Sequence, residues 1–461
     1  MSKIKVTNSS KFDMNSQPLG NPAPLYIQLT DTYAPAWGHG GPVRLMFDYA
    51  RWLSSDFRVT VYTSDVHHDF TRIPIRREII GGASVCRHKL FFPELAKKSI
   101  YLLSPLMCIQ AAKQIYRSRE PAIVHFSVFR GFVPLYAILL KLLLRKRVTL
   151  VHSAFGSLHY KRAILRKIYD AIFMKLFIRL VDLRLAQNDH EREVYQRICR
   201  ENGASNQSQV VLFPLHLDGV PFDSTRFTES GKNQTAVREV RRAFGIPEDA
   251  VVFLFLGRLH PAKGILRMID AYLEFSRSCA QETLLLIVGH NDGFQGEAEQ
   301  HILRKGIQNK VRIINNVYET RFDYYFLADL FLGFPTIFEE TMLASLEAMA
   351  CGTPIVVSRE ADVPFVEEER AGLVIDFDVR STAEAMAGVM QDLASFQVNA
   401  RSAVARHFSG AAASRKLSTL FRIAISGNLA PEKLTEMEPL GQAWPAEESS
   451  PERVSSVASG K

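Results

Sequence analysis

Two glutamates, two cations and a glycine-bearing turn carry most of the chemistry this sequence offers. In FEETMLASLEAMACGTPIVVS (338–358), Glu339 and Glu347 stand with seven residues between them. The preceding run DLFLGFP (329–335) reads as a buried strand, which puts Glu339 in the loop at its carboxyl end, where an open α/β sheet binds ligands. From Met342 to Cys351 the pattern reads as a helix stopped by Gly352. Its first turn leaves the amides near Leu343 and Ala344 unpaired, an arrangement suited to a phosphate. Glu347, one turn in, is placed to accept paired hydrogen bonds from vicinal hydroxyls, as on a ribose, and Glu339 to reach a second set. The same spacing also fits an acidic helix start that merely complements the dipole. FLGRLHPAKG (255–264) puts Arg258 and Lys263 in a strand-to-helix loop on the same ligand side. Two cations there, opposite helix-terminal amides, make a clamp for a diphosphate; either alone would read as a solvated loop charge.

Weaker signals surround these. GHGGPVR (38–44) follows the first strand, and Gly40 and Gly41 permit a tight turn and close backbone approach to a ligand. It is not GxGxxG, so a nicotinamide site is poorly supported. RVTLVH (147–152) ends a buried strand in His152, a residue that by itself reads first as a satisfied core group, and His125 in AIVHFS is analogous. The five cysteines are scattered, with no CxxC pair, which predicts a reducing compartment and no structural metal.

The elements that must position these groups are short apolar runs alternating with longer helical patterns. In the first half, 25–30, 58–64, 122–127, 147–152 and 209–214 read as strands; in the second, 251–257, 283–289, 311–314, 329–335 and 353–358 do. They lack clean alternation, so both faces are buried, as in parallel sheets covered by helices. The fold class expected is α/β, with two doubly wound Rossmann-like domains and a cleft between them. A Gly/Ser/Asp/Pro-rich break after Pro214 divides the chain into domains at 24–216 and 217–410. The ends, 1–23 and 428–461, are Ser/Pro/Glu-rich and are expected to be disordered.

Composition bounds the answer from outside. A chain of 461 residues with 47% apolar and 23% charged content is globular, and excludes collagen, coiled coil and wholesale disorder. The longest apolar stretch, 131–144, is too short to span a bilayer and contains Lys141, so a buried helix is expected. The N-terminus shows no secretory signal pattern, and a cytoplasmic location is expected. The net charge of +8 is uneven, with the basic excess in the first half. Residues 141–184 hold 11 Lys and Arg against two Asp, interleaved with apolar residues at helical spacing. Such a stretch is suited to the anionic inner face of a membrane. No nucleic-acid module is recognisable.

GHGGPVR, RVTLVH, GRLHPAKG, LLLIVGHNDG and FEETMLASLEAMACGTPIVVS, in this order, resemble the retaining glycosyltransferases of GT-B fold, specifically glycosyltransferase family 4. The resemblance spans roughly 25–425. It implies a metal-independent, hexosyltransferase-type enzyme without a cofactor. Such an enzyme moves a sugar from a nucleoside-diphosphate-sugar to a carbohydrate or lipid-linked acceptor in cell-surface polysaccharide or glycolipid synthesis. By this resemblance Arg258 and Lys263 hold the diphosphate, Glu347 the ribose and Glu339 the donor sugar, aided by backbone near Leu343 and Ala344. Gly40 and Gly41 approach the phosphates, His152 stands beside the reacting centre, and Val317 contacts the base. A helix over 411–427 returns to complete the N-terminal domain. The chain departs from the family at Glu340–Ala344, where members carry a glycine-rich loop, and at the linker around Asp218. A GT-B sugar-nucleotide epimerase and a degenerate, non-catalytic binding subunit are the alternative readings.

Overall fold

The computed structural model describes residues 23–37, 41–67, 69–99, 102–118, 120–158, 164–203, 209–217, 224–228, 231–315, 320–339, 341–427 and 429. Gly40, Val317, Asp218, Glu340 and nearly all of both expected tails lie outside the described residues.

The N-terminal lobe is one eight-stranded sheet. Its strands are β1 (Leu25–Leu29), β2 (Arg58–Ser64), β3 (Arg77–Ile80), β4 (Ala83–His88), β5 (Ala122–Ser127), β6 (Val148–Ser153), β7 (Leu183–Ala186) and β8 (Gln209–Leu212). They lie in the order β3-β4-β2-β1-β5-β6-β7-β8. All neighbours are parallel except the antiparallel edge pair β3–β4. β1, β5 and β6 are buried along their whole length, as their unbroken apolar runs require. The helices are α1 (Gly41–Leu53), α2 (Pro93–Ser99), α3 (Pro105–Ser118), α4 (Phe132–Leu144), α5 (Ile164–Leu180) and α6 (Asp189–Glu201). Helices α3 to α6 pack on one face of the sheet, around Ile27, Val124 and Leu150. Helix α1 covers the other, around Tyr26, Val61 and Val151. The stretch 131–144 does form a helix, but only one side of it is buried: Leu139, Leu142 and Leu143 stand exposed.

The second lobe opens with a two-residue-per-strand hairpin, β9 (Phe227–Thr228) and β10 (Gly231–Lys232), followed by α7 (Gln234–Ala243). Its sheet contains β11 (Val251–Leu256), β12 (Thr283–Val288), β13 (Val311–Ile314), β14 (Leu330–Gly333), β15 (Ile355–Ser358) and β16 (Gly372–Ile375). All are parallel, in the order β13-β12-β11-β14-β15-β16. Around it lie α8 (Ile265–Ser278), α9 (Gln295–Lys305), α10 (Arg321–Leu327), α11 (Leu343–Ala350), α12 (Val379–Gln391) and α13 (Leu393–His407). The chain builds outward from β11 through β12 to β13, then restarts at β14 on the other side. The gap between the carboxyl ends of β11 and β14 is therefore a topological switch point, where the connecting loops diverge and leave a crevice.

The last helix, α14 (Gly410–Ile425), returns to the first lobe. Leu417, Leu420 and Phe421 join the core around Tyr26 and Phe57, and Ser414 Oγ donates to the Trp52 carbonyl at 3.2 Å. The two crossings between lobes run side by side: Leu217 N donates to Phe408 O at 2.9 Å and Gly410 N to Leu217 O at 3.1 Å.

Candidate active site

The switch point brings together residues far apart in sequence. β11 ends one residue before Gly257, and Arg258 leads into a short 3-10 turn, Pro261–Lys263. His260 caps that turn, its Nδ1 accepting from the Ala262 amide at 3.1 Å. Gly264 then adopts φ +67°, and a Cβ there would stand 1.7 Å from the Phe334 carbonyl. Only glycine allows the two loops to approach so closely. Thr336 N donates to Ala262 O at 2.8 Å and locks the loop after β11 to the loop after β14. With the backbones joined, Lys263 Nζ reaches Glu339 Oε1 at 2.5 Å across 76 positions of sequence, both side chains mostly buried.

The other candidate charges are also paired. Arg258 donates to Asp292 Oδ2 at 2.7 Å, both side chains about half exposed. Asp292 belongs to the loop after β12, held to the Arg258 loop by its own amide on Leu259 O at 3.1 Å. Glu347, 7% exposed, accepts from Arg321 Nη2 at 3.0 Å and Nε at 3.3 Å, and from the Tyr325 hydroxyl at 3.0 Å. Burial and the adjacent Glu347 carboxylate push the Tyr325 phenol well above its usual range, so it stays a donor. Arg321 and Asp292 had no role in the sequence reading, although Asp292 lies inside the quoted GHNDG. Neither belongs to a periodic pattern, and each acts only through a partner distant in sequence.

At the start of α11, Met342 occupies the N-cap with no side-chain cap. Among the described residues no group accepts from the amides of Leu343 or Ala344. An uncapped, partly buried helix start can receive an anion. Gly41, the first residue of α1, faces it across the cleft, with an added Cβ only 4.0 Å from Leu343 Cδ2. A narrow crevice lies between the lobes here, lined by Arg44, Asp48, His216, Phe322, Leu343 and Glu347 among others. Arg258, Lys263 and Glu339 are not among its lining residues. Just before α11, Thr341 sits at φ +46°, buried. A β-branched residue is strained in that left-handed region, at about 1–3 kcal/mol.

His152 does not join these groups. It is fully buried, with Nδ1 against the Tyr195 hydroxyl at 2.7 Å and Nε2 against Val128 O at 3.3 Å. Phe126, Phe129 and Phe177 surround its ring, and burial holds its pKa down at about 3. That is a neutral core histidine, locked by two partners, rather than a group open to the cleft. His125 is similar, paired to Tyr26 and Ser153 and held at about 3 by burial. Among the described residues no cluster of His, Cys, Asp and Glu is arranged to hold a metal ion.

Two parallel-sheet lobes, a cleft between them and a returning terminal helix define the GT-B architecture. Solved structures agree on the fold. Sucrose-phosphate synthase from Thermosynechococcus elongatus superposes with a TM-score of 0.63 at 18% identity, covering 87% of this chain and 100% of that one. Anabaena HepE in complex with UDP-glucose gives 0.64 at 16%, covering 86% and 99%. WaaG, a glycosyltransferase involved in lipopolysaccharide biosynthesis, gives 0.59 at 14%, covering 86% and 99%. Residues 236–403, which hold all four candidate charges, match the family model described as glycosyl transferases group 1. Among curated relatives, a D-inositol 3-phosphate glycosyltransferase of Corynebacterium efficiens is 32% identical over 51% of this chain and 61% of its own length. A D-inositol 3-phosphate glycosyltransferase 2 of Catenulispora acidiphila is 34% identical over 37% of this chain and 42% of its own. The matched region thus spans less than two thirds of either relative.

Proposed function

We propose that the protein is a retaining, metal-independent glycosyltransferase, moving a sugar from a nucleoside-diphosphate-sugar to a carbohydrate or lipid-linked acceptor. The observation that carries this reading is the Lys263–Glu339 pair, held by joined loops at the switch point of the second sheet. Cleaving a sugar–phosphate bond builds negative charge on the departing diphosphate and positive charge on the anomeric carbon. Lys263, Arg258 and the free amides of α11 are the preorganised donors for the first. Glu339, released when Lys263 turns to the phosphate, is free to accept from sugar hydroxyls. Glu347, fixed by Arg321 and Tyr325, presents its remaining lone pairs to the ribose diol. Gly41 lets the N-terminal lobe close to within contact of the α11 start. No side-chain nucleophile is required if the acceptor attacks on the leaving-group face and the diphosphate oxygen takes its proton.

Cell-surface polysaccharide or glycolipid assembly is the proposed setting. The curated relatives make a phosphorylated polyol a further acceptor to screen. The test is thermal-shift screening with UDP-, GDP- and ADP-sugars, followed by NMR assignment of the product anomer. A donor at 100 times its Kd should stabilise by ~2.7 kcal/mol. Stabilisation by no nucleotide-sugar, or transfer with inversion, or activity lost with a chelator and restored by metal, would each contradict the reading. Free epimerised donor without acceptor product would favour an epimerase. Donor binding with neither hydrolysis nor transfer would favour a non-catalytic binding subunit.

A further inference from the structure

Helices α3, α4 and α5 lie side by side on one face of the N-terminal sheet and bury their inner sides in a single core. Their outer sides are unusual. Of the thirteen large apolar side chains that stand exposed among the described residues, eight belong to these three helices. On α3 they are Leu106, Ile109 and Tyr116; on α4 Leu139, Leu142 and Leu143; on α5 Ile172 and Leu176. Leu143 is 65% exposed and Ile172 62%. Single exposed leucines need no explanation, but a run of them across adjacent helices does.

The charges between them are of one sign. Lys113 and Arg117 on α3, Arg145 and Lys146 at the end of α4, and Lys175 and Arg179 on α5 are all exposed. The three helices contain a single carboxylate, Asp170, which is buried and gripped by Arg130 at 2.9 and 2.7 Å. Just beyond α5, Asp182 is bound by Lys141 at 2.6 Å. The layer therefore offers apolar side chains flanked by cations, with its acids already neutralised. No helix of the described residues is long and apolar enough to cross a membrane.

We infer that the outer face of α3–α4–α5 docks on an anionic lipid bilayer. Leucines and isoleucines enter the headgroup–acyl boundary while the flanking cations meet lipid phosphates and carboxylates. A protein partner of ordinary composition would bring cations as well as carboxylates, and Asp170 and Asp182 are already engaged by Arg130 and Lys141 and so unavailable to those cations, whereas a bilayer supplies negative charge along the whole layer. The contact lies on a face of the sheet rather than at its strand ends, so it leaves the cleft open. The inference concerns binding alone and stands or falls apart from the donor chemistry.

The test is co-sedimentation of the full chain with vesicles of phosphatidylcholine alone and with about 30% phosphatidylserine. Binding should be at least about tenfold stronger to the anionic vesicles in 0.1 M salt. It should largely disappear in 1 M salt, where the screening length falls from about 10 Å to 3 Å. The variants Leu142→Ser/Leu143→Ser and Lys146→Glu/Lys175→Glu/Arg179→Glu change only exposed residues. Each should weaken binding at least about fivefold with an unchanged melting temperature. Equal binding to both vesicle types, or none to either, overturns the inference. So does a self-associated wild type that the serine pair converts to monomer without any vesicle binding, because the face is then an interface between copies.

Discussion

Lys263 and Glu339 neutralise one another across the joined loops, and this sets what their removal does. On the proposed function, a donor diphosphate would outcompete a single carboxylate for the ammonium, since it carries more charge and would meet the α11 amides as well. Lys263→Ala should therefore lower transfer by ~10²–10³ or more, with a smaller loss of melting temperature than a fully buried pair would show, because both side chains keep some contact with water. Glu339→Ala should cost a similar factor. Kinetics beside a thermal melt checks both, and near-wild-type turnover in either removes the assignment. Arg321 behaves differently. With side-chain exposures of 8% and 10%, Arg321 and Glu347 form a buried pair. Arg321→Ala leaves the carboxylate without its cation, at about 3–5 kcal/mol, and should show as a lower urea midpoint. Arg321→Lys, a point charge without the fork, should recover part of it. A midpoint unchanged by Arg321→Ala would mean that Glu347 is solvated after all.

Among the elements, the central strands were legible in the sequence because each is a short, β-branched-rich apolar run buried on both faces, whereas the longer run 131–144 forms helix α4. β3 was not legible, since REII alternates exposed and half-buried side chains at a charged sheet edge, and β4 was not because Ser84, Arg87 and His88 break up its short run. β7 was not read because it is four residues long with Arg184 in its middle. At the site, Lys263, Glu339 and the α11 start could be placed from spacing, because strand-to-helix loops at carboxyl ends have a fixed side. His152 is the satisfied core group that the residue alone suggested, and only the resemblance set it beside the reacting centre. The tie between the loops after β11 and β14 rests on Gly264. Gly264→Ala drives a methyl group into the Phe334 carbonyl at a positive φ, and both effects destabilise. The expected result is a loss of several degrees in melting temperature, together with a transfer rate reduced even at temperatures where the variant is folded. A variant with unchanged melting and rate would show that the loops do not depend on this approach.

For the whole molecule, the buried histidines set an acid limit on folding. His125, His152 and His216 are all held at about 3 by burial. In the unfolded chain each titrates near 6.5. Between those values the unfolded state binds more protons than the folded one, so stability falls as pH falls from about 6.5 towards 3. From pH 6.5 to 5 each histidine removes about 2 kcal/mol, at 1.36 kcal/mol for each pH step. Asp31 opposes them. Two residues past β1, with a buried Oδ1 that has no partner among the described residues, its carboxyl is pushed up to about 7 by burial. Its folded form binds the proton more tightly, so this one group adds stability over the same interval, by about 2 kcal/mol. Three groups against one leave a net loss of about 4 kcal/mol by pH 5. Because the histidines belong to the N-terminal sheet and the linker at its edge, the loss should appear first in that lobe. Calorimetry at pH 7, 6 and 5 should show the melting temperature dropping at each step, and replacing His125 with Asn should flatten the dependence by roughly a third to a half. A melting temperature constant across that range would mean these rings are not buried neutral in the folded protein.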